Sequence, residues 1–166
     1  MLTTFPEDPP ARVVIGVTRM PIGTPVEMTA LAVRDLALKE VIELSSLKPL
    51  GHASSAVAVA NKVFLSAVNG QTLSEAEAGL TLALNEAGIG ANLEGELQKH
   101  GTELSHAVVC NIYLDDLDEF KLMNDTFATF FSGLPPTRTT VQPFPSSDRT
   151  SGDAALIRIS LWAIER

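Results

Sequence analysis

Arg138 is the residue whose type and setting suit it best to bind a ligand. It follows Pro135 and Pro136, which stop the preceding helix pattern and hold the chain extended as it enters a predicted strand, Arg138–Gln142. A guanidinium offers five donors in a planar fork, and that fork matches the two oxygens of a carboxylate. Such an arginine can bind a carboxylate ligand or pair with an acid of its own chain, and the residue alone leaves both options open.

Two elements must position this arginine. The apolar, partly β-branched run Val108–Leu114 predicts a buried strand, and an amphipathic helix is predicted to follow it and to stop at Gly133. The apolar residues of that helix recur every three or four positions and therefore share one face: Phe120, Met123, Phe127, Phe130 and Phe131. Arg138 then enters the next strand, where the backbone fixes the direction of its side chain.

Length and composition limit the classes of function. The 166 residues fit one domain, and 45% of them are apolar, which is enough for a sizeable core. A net charge of −8 argues against nucleic acid or an anionic membrane surface as a partner. The start of the chain lacks the apolar run of a signal peptide, and we expect no membrane-spanning segment.

The single cysteine and the three histidines predict neither a disulfide nor a metal site. Cys110 lies inside a predicted buried strand, so we interpret it as a core residue, and a lone cysteine favours a cytoplasmic setting. His52, His100 and His106 are too scattered to suggest metal ligands.

The remaining pattern predicts strands interleaved with two helices. A short strand at Leu38–Leu44, a hairpin turning at Asn61 and a turn at Val68–Thr72 precede a long helix that begins at Ser74. The alternating run Ala154–Ile164 predicts the last strand. This order indicates an α+β fold with two helices packed on one face of a sheet.

An internal likeness divides the chain. Pro9–Arg12 (PPAR) matches Pro135–Arg138 (PPTR), and each is followed by a predicted strand, a Pro-containing turn and an alternating strand. We therefore predict a tail at 1–8, a partial repeat of two strands at 9–35 and a complete domain at 38–166. In this alignment Glu27 corresponds to Arg158, and Thr29 corresponds to Ser160. Two strands cannot stand alone in water, so the extra hairpin must join a sheet edge in this chain or in another.

Two stretches carry a resemblance to a known family. The run from Asp118 to Val141, DEFKLMNDTFATFFSGLPPTRTTV, resembles the RidA (YjgF, endoribonuclease L-PSP-like) family of reactive-intermediate deaminases, and so does the run from Lys39 to Gly70. The resemblance covers about 38–166, while 9–35 is similar to the family's last two strands. It implies a chorismate-mutase-like fold, a homotrimer with clefts between subunits, and hydrolysis of imines or enamines without a metal or organic cofactor.

The resemblance also assigns roles to individual residues. It implies that Arg138 binds the substrate carboxylate and that Asn124, Ser66 and Thr140 contribute to substrate binding. The family's water-positioning glutamate falls on Ser160, whose hydroxyl is a poor base near neutral pH. Carboxylates that could replace it are Glu27, Asp148 and Asp153.

Three functions fit these residues. The first is a hydrolytic deaminase of small carboxylate-bearing imines or enamines, with Glu27 or Ser160 as the candidate catalytic residue. The second is a non-catalytic binder of small carboxylates that uses the same cleft. The third is a trimeric assembly module whose interface is its purpose.

Overall fold

The computed structural model describes residues 5, 7–43, 52–66, 105–131, 133–144 and 157–164, and the backbone alone of 68–70 and 104. Within these ranges the chain forms one mixed sheet of seven strands and one α-helix. No helix of the described part is long and apolar enough to cross a membrane. The long helix predicted to begin at Ser74 lies outside the described residues.

Six of the seven strands lie where the sequence pattern predicts a strand. They are β1 (Lys39–Ile42), β2 (Ala56–Val59), β3 (Lys62–Leu65), β4 (Val68–Gly70), β5 (Ala107–Leu114), β6 (Thr137–Val141) and β7 (Ile157–Ile164). The order across the sheet is β1-β2-β3-β7-β5-β6, and β4 pairs with the end of β7 that β3 leaves free. β5 and β6 run parallel, whereas the other paired strands are antiparallel.

The helix α1 (Phe120–Phe130) covers one face of this sheet. It follows a 3-10 turn, Leu117–Glu119, in which the Asp118 amide donates a hydrogen bond to the Asp116 carboxylate. Met123 and Phe127 from the predicted helix stripe are buried in the core, and Phe130 and Phe131 pack against it. The face of β5 and β7 toward this core is wholly apolar: Cys110, Ile112, Leu114, Ile157, Ile159, Leu161 and Ala163.

The turn predicted at Val68–Thr72 is wrong over its first three residues, because Val68–Gly70 forms β4. Asn69 and Gly70 are typical turn residues, but β7 is eight residues long and pairs with β3 only through Trp162–Ile164. The opposite end of β7 is therefore free to pair with Val68–Gly70 through backbone hydrogen bonds. Tertiary pairing overrides the local turn preference here.

The N-terminal hairpin predicted within 9–35 is not confirmed. Residues 11–35 contain one 3-10 turn, Pro21–Gly23, and no strand. The topology of the domain supplies the reason, because β6 and β7 are not neighbours: each pairs with a different edge of β5. A segment that resembles β6 and β7 therefore needs a third, β5-like strand between its two halves. That 9–35 derives from a second copy stays a prediction.

Candidate functional site

Arg138 lies half-buried on β6, and its side chain reaches α1. Its Nη2 donates a hydrogen bond to Asn124 Oδ1 at 2.8 Å, and Nη1 lies 3.9 Å from the sulfur of Met123. The guanidinium carbon is 4.8 Å from the centre of the Phe127 ring and 5.6 Å from that of Phe120. A guanidinium has five N–H donors, so these contacts orient it and still leave donors for a ligand.

The register of β5 and β6 explains why the arginine faces the helix. Arg138 pairs with Cys110 and Thr140 pairs with Ile112, and both of these partners belong to the core. Paired residues in adjacent strands share a face, so Arg138 and Thr140 face the α1 side. The hydroxyl oxygen of Thr140 is buried and has no hydrogen-bond partner among the described residues.

Cys110 completes this environment as a core residue. It is fully buried, and burial raises the pKa of its thiol from 9.0 to about 12, although the charge of Arg138 acts in the opposite direction. The thiol is thus protonated at neutral pH and lacks the thiolate character that a nucleophile requires. The interpretation of Cys110 as a core residue is confirmed.

Ser160 lies on the other face of the sheet. It pairs with Asn111, which follows Cys110 in β5 and therefore faces away from the α1 side. Asn111 Nδ2 donates to Ser160 Oγ at 3.4 Å. Partial burial raises the pKa of Tyr113, while the nearby Ser160 side chain lowers it by a smaller amount. We call this surface, which bears Asn111, Tyr113, Ser160, Arg158 and Trp162, the outer face.

Ser66 is engaged within its own chain. Its hydroxyl donates to the backbone oxygen of Ser54 at 2.6 Å and accepts the backbone N–H of Arg12 at 2.9 Å. Ser66 is fully buried, so both bonds are shielded from water. Glu27 is exposed in the extended N-terminal region, and Asp148 and Asp153 lie outside the described residues.

The predicted site residues thus fall into two groups. Arg138, Asn124 and Thr140 lie together between β6 and α1. Ser66 is bound to the N-terminal segment, and Ser160 lies on the outer face. Within one chain these two serines do not join the Arg138 group. In the described part of the chain, no group of His, Cys, Asp or Glu side chains could hold a metal ion.

Sequence reasoning missed the aromatic contacts of Arg138. The spacing of Phe120 and Phe127 indicated only a core-facing helix stripe, yet Phe120 remains 42% exposed beside the guanidinium. The sequence does contain a signal for this packing: an arginine enters a strand directly after a phenylalanine-rich helix.

No family model matches the chain. It is 30% identical over 109 residues to a RutC family protein of Pyrococcus abyssi, a match that covers 63% of this chain and 84% of the relative. It is also 30% identical over 95 residues to a protein of Dermatophagoides farinae named 2-iminobutanoate/2-iminopropanoate deaminase, covering 57% and 74% of the two chains. A third match, 37% identical to Protein DfrA of Myxococcus xanthus, spans 40% of this chain and only 52% of that relative.

Solved structures show the fold independently. The YjgF gene product of E. coli superposes with a TM-score of 0.60 at 18% identity, over 76% of this chain and 99% of the other. RidA from an Antarctic Psychrobacter superposes with a TM-score of 0.57 at 21% identity, over 75% and 97%. At these identities the likeness shows a shared α+β fold.

Proposed function

The chain belongs to the RidA (YjgF, RutC) family, and from that premise we propose that it hydrolyses small imines or enamines whose carboxylate is bound by Arg138. The observation that carries this proposal is the fixed guanidinium: Asn124 orients it through a 2.8 Å hydrogen bond, and the Phe127 ring packs against it. The relative named 2-iminobutanoate/2-iminopropanoate deaminase supplies the substrate class, a short 2-imino acid.

Arg138 suits this substrate in charge and in geometry. The free donors of a guanidinium can bind both oxygens of a carboxylate at once, and such charge-assisted bonds are about twice as strong as neutral ones. Half-burial against α1 excludes part of the water that would otherwise screen the pair. The carboxylate of a 2-imino acid adjoins its imine carbon, so binding the acid group positions the reacting carbon.

The proposed reaction adds water to that carbon. The oxygen of water forms a bond to the imine carbon, and the nitrogen takes up a proton. The hydroxyl proton of the resulting carbinolamine then moves to the nitrogen, the C–N bond breaks to release ammonia, and the 2-oxo acid remains. The buried hydroxyl of Thr140 lies two residues from Arg138 on the same strand face and is suited to orient the water or the nitrogen.

The general base of this reaction stays an open part of the proposal. Ser160 occupies the family's glutamate position, and a neutral hydroxyl is a poor proton acceptor near pH 7. Glu27, Asp148 and Asp153 are the carboxylates that could supply this role, either in one chain or across an interface between copies. We propose a homotrimer in the cytoplasm as the working assembly, since a cleft between subunits can bring together residues from opposite sheet faces.

A second candidate function is non-catalytic binding of a small carboxylate. Two observations favour it: Arg138 and Ser160 lie on opposite strand faces, and among the described residues no carboxylate contacts the Arg138 guanidinium. Such a binder would keep the Arg138 anchor without accelerating hydrolysis. A purely structural assembly module, the third option, would need neither carboxylate binding nor hydrolysis.

One assay distinguishes these functions. An amino-acid oxidase generates short-lived 2-imino acids, and their decay is followed with the native chain, with Arg138→Ala and with Arg19→Ala as an exposed-arginine control. The deaminase proposal expects faster decay with the native chain and with Arg19→Ala, and not with Arg138→Ala. If decay is unchanged but 2-oxobutanoate binds in an Arg138-dependent way, the chain is a binder. If the chain neither accelerates the decay of 2-imino acids nor binds 2-oxobutanoate, only the assembly function remains.

A further inference from the structure

Residues 8–16 form a segment, which we call the strap, that is bound to the domain through its backbone. At its first residues, Asp8 O accepts a hydrogen bond from Lys39 Nζ at 2.6 Å. The carbonyls of Pro9 and Pro10 then accept from the hydroxyl and the backbone N–H of Ser54. These bonds join the start of the strap to residues that lie about 30 to 45 positions further along the chain.

The second half of the strap is bound in the same way. Arg12 N donates to Ser66 Oγ at 2.9 Å, and Val14 O accepts from Arg158 Nη1 at 3.2 Å. The carbonyl of the last strap residue, Gly16, accepts from the backbone N–H of Phe144 at 2.9 Å. The strap thus contacts parts of the domain that are far apart in sequence.

The domain partners of the strap follow the order of the strands in the sheet. Lys39 is on β1, Ser54 precedes β2, Ser66 follows β3, Arg158 is on β7 and Phe144 follows β6. This is the order β1-β2-β3-β7-β5-β6 of the sheet itself. Because Arg158 belongs to the outer face, the strap crosses the sheet on that side.

The strap occupies a residue that the family resemblance assigns to substrate binding. Ser66 Oγ donates to Ser54 O and accepts the Arg12 N–H, and the Ser66 side chain is fully buried. A ligand therefore has no access to this hydroxyl while Arg12 stays in place. Ser160, two residues from Arg158 on the same strand face, is buried as well.

A neighbouring copy needs the space that the strap fills. Arg138 and Ser160 lie on opposite faces of the sheet, so the proposed cleft must bring Arg138 of one copy toward Ser66 and Ser160 of another. A small 2-imino acid can touch both groups only if the neighbour closes directly over the outer face. Folded chains pack as densely as organic crystals, so the strap and the neighbour cannot lie there together.

We propose that the strap is an autoinhibitory segment that competes with a neighbouring copy of the chain for the outer face. With the strap in place, the chain is single and Ser66 is bound to Arg12. With the strap released, a neighbour covers the outer face and completes the cleft. The position of the cleft rests on the proposed function, whereas the competition concerns assembly and is measured without substrate.

The strap has the properties of a segment that a neighbour can displace. Backbone hydrogen bonds hold it, and side chains at its centre and just beyond its end remain exposed, at 52% for Val14 and 46% for Val17. Segments that bury little apolar surface open at a small fraction of the global unfolding free energy. Trp162, four residues along β7 from Arg158, is exposed and gives a neighbour a first contact before the strap leaves.

A disulfide that ties the strap to the domain tests the competition. A Cβ built on Gly16 lies 3.7 Å from Phe144 Cβ, which is within the range for a disulfide, and Cys110 is buried away from this exchange. The double variant Gly16→Cys/Phe144→Cys is oxidised at low concentration, and light scattering over a dilution series then gives the concentration at which half of the chains are assembled.

We expect oxidation of this double variant to raise the half-assembly concentration about tenfold or more, because a tethered strap rebinds before a neighbour can replace it. The same protein in its reduced form is the control. Equal half-assembly concentrations in the two forms, or a single chain at every concentration in both, would overturn the proposal.

A substitution that weakens the strap should have the opposite effect. Arg12→Pro removes the N–H that donates to Ser66 Oγ, so we expect half-assembly at a concentration about threefold or more lower than in Arg12→Ala. Arg12→Ala is the matched control because it loses the same side chain and keeps the N–H. Equal half-assembly concentrations in the two variants would show that this bond does not hold the strap against a neighbour.

Imine hydrolysis by the same samples separates this proposal from the proposed function. If oxidation and Arg12→Pro shift assembly as expected while no form accelerates the decay of 2-imino acids, the strap competes with a neighbour and the deaminase reaction is wrong. If hydrolysis is found but assembly responds to neither change, the deaminase reaction stands and the strap is not autoinhibitory.

Discussion

The packing of Arg138 shows how one side chain serves both the core and the site. Its guanidinium lies against the Phe127 ring at 4.8 Å, and Phe127 itself is buried in the core and stacked on Phe131. A ring at this distance attracts the cation and also restricts the plane in which it can turn. The helix therefore sets the orientation of the residue that the proposed function assigns to substrate binding.

A double-mutant cycle measures this contact. Phe127→Leu and Arg138→Met, singly and combined, should show a coupling of about 0.5–2 kcal/mol in the free energy of unfolding, because the pair is partly desolvated. The exposed pair Lys121–Asp125 on the same helix is the matched control and should couple by about 0.5 kcal/mol or less. A coupling at Arg138 no larger than this control would mean that the ring does not hold the guanidinium.

Cys110 gives the chain a predictable response to alkali. Its thiol pKa is about 12 in the folded chain, against an ordinary value of 9.0, so the folded state keeps its proton over a pH range where the unfolded state loses it. The stabilisation is complete below pH 9 and is lost as the pH rises toward about 12.

Urea unfolding at a series of alkaline pH values tests this sign. The free energy of unfolding should fall more steeply with pH in the native chain than in Cys110→Ala, by up to about 1.4 kcal/mol per pH unit. Other titrating groups, including Tyr113, are common to both proteins and cancel in the difference. Parallel pH profiles would show that the thiol is not desolvated as the structure indicates.

At the residue scale, the sequence predicted the helix that carries Asn124 and the strand that carries Arg138, because local pattern determines both elements. Asn124 itself was singled out by the family resemblance alone. The face of Ser160 could not be predicted, since it depends on the register between β5 and β7, which no local pattern specifies. Ser66 likewise meets its partner Arg12 across 54 residues of sequence.

The central strand β5 is the element on which the domain depends. It pairs with β6 on one edge and β7 on the other, and its core-facing residues are buried. Its apolar run made it predictable from sequence within one residue. The N-terminal segment 9–35 has similar strand patterns and forms none, because no β5-like strand pairs with it in the described part of this chain.

Two alanine substitutions in β5 should therefore differ sharply. Ile112 is fully buried, so Ile112→Ala should destabilise the chain by about 2–5 kcal/mol through lost transfer energy and a residual cavity. Val108 is 38% exposed on the same strand, and Val108→Ala should cost about 1 kcal/mol or less. Chemical unfolding of both variants provides the comparison. Equal losses would contradict the burial pattern of β5.

The whole molecule presents apolar side chains that one chain does not cover. Trp162 is 43% exposed on the outer face, where it packs edge-on to Phe64, and the side chains of Phe144 and Ile164 are also exposed. Exposed aromatic residues on a sheet face are typical of surfaces that another protein covers. This supports the proposed assembly of several copies, which the sequence suggested only through family resemblance.

Light scattering in solution tests the assembly. We expect a mass of about 53 kDa, three times the 17.7 kDa chain, and Trp162→Glu should lower it because a charge would be buried in the interface. Leu134→Glu, at a fully exposed leucine, serves as the control and should leave the mass unchanged. A native mass equal to one chain would remove the homotrimer from the proposal.

The measurement that tests the central claim most directly is the rate at which the chain accelerates decay of 2-iminobutanoate, compared between the native protein and Arg138→Ala. We predict acceleration by the native protein and a loss of about tenfold or more in the variant, because a charge-assisted bond to the substrate carboxylate is removed. Equal acceleration by both proteins would contradict the role of Arg138, and no acceleration by the native protein would contradict the proposed reaction itself.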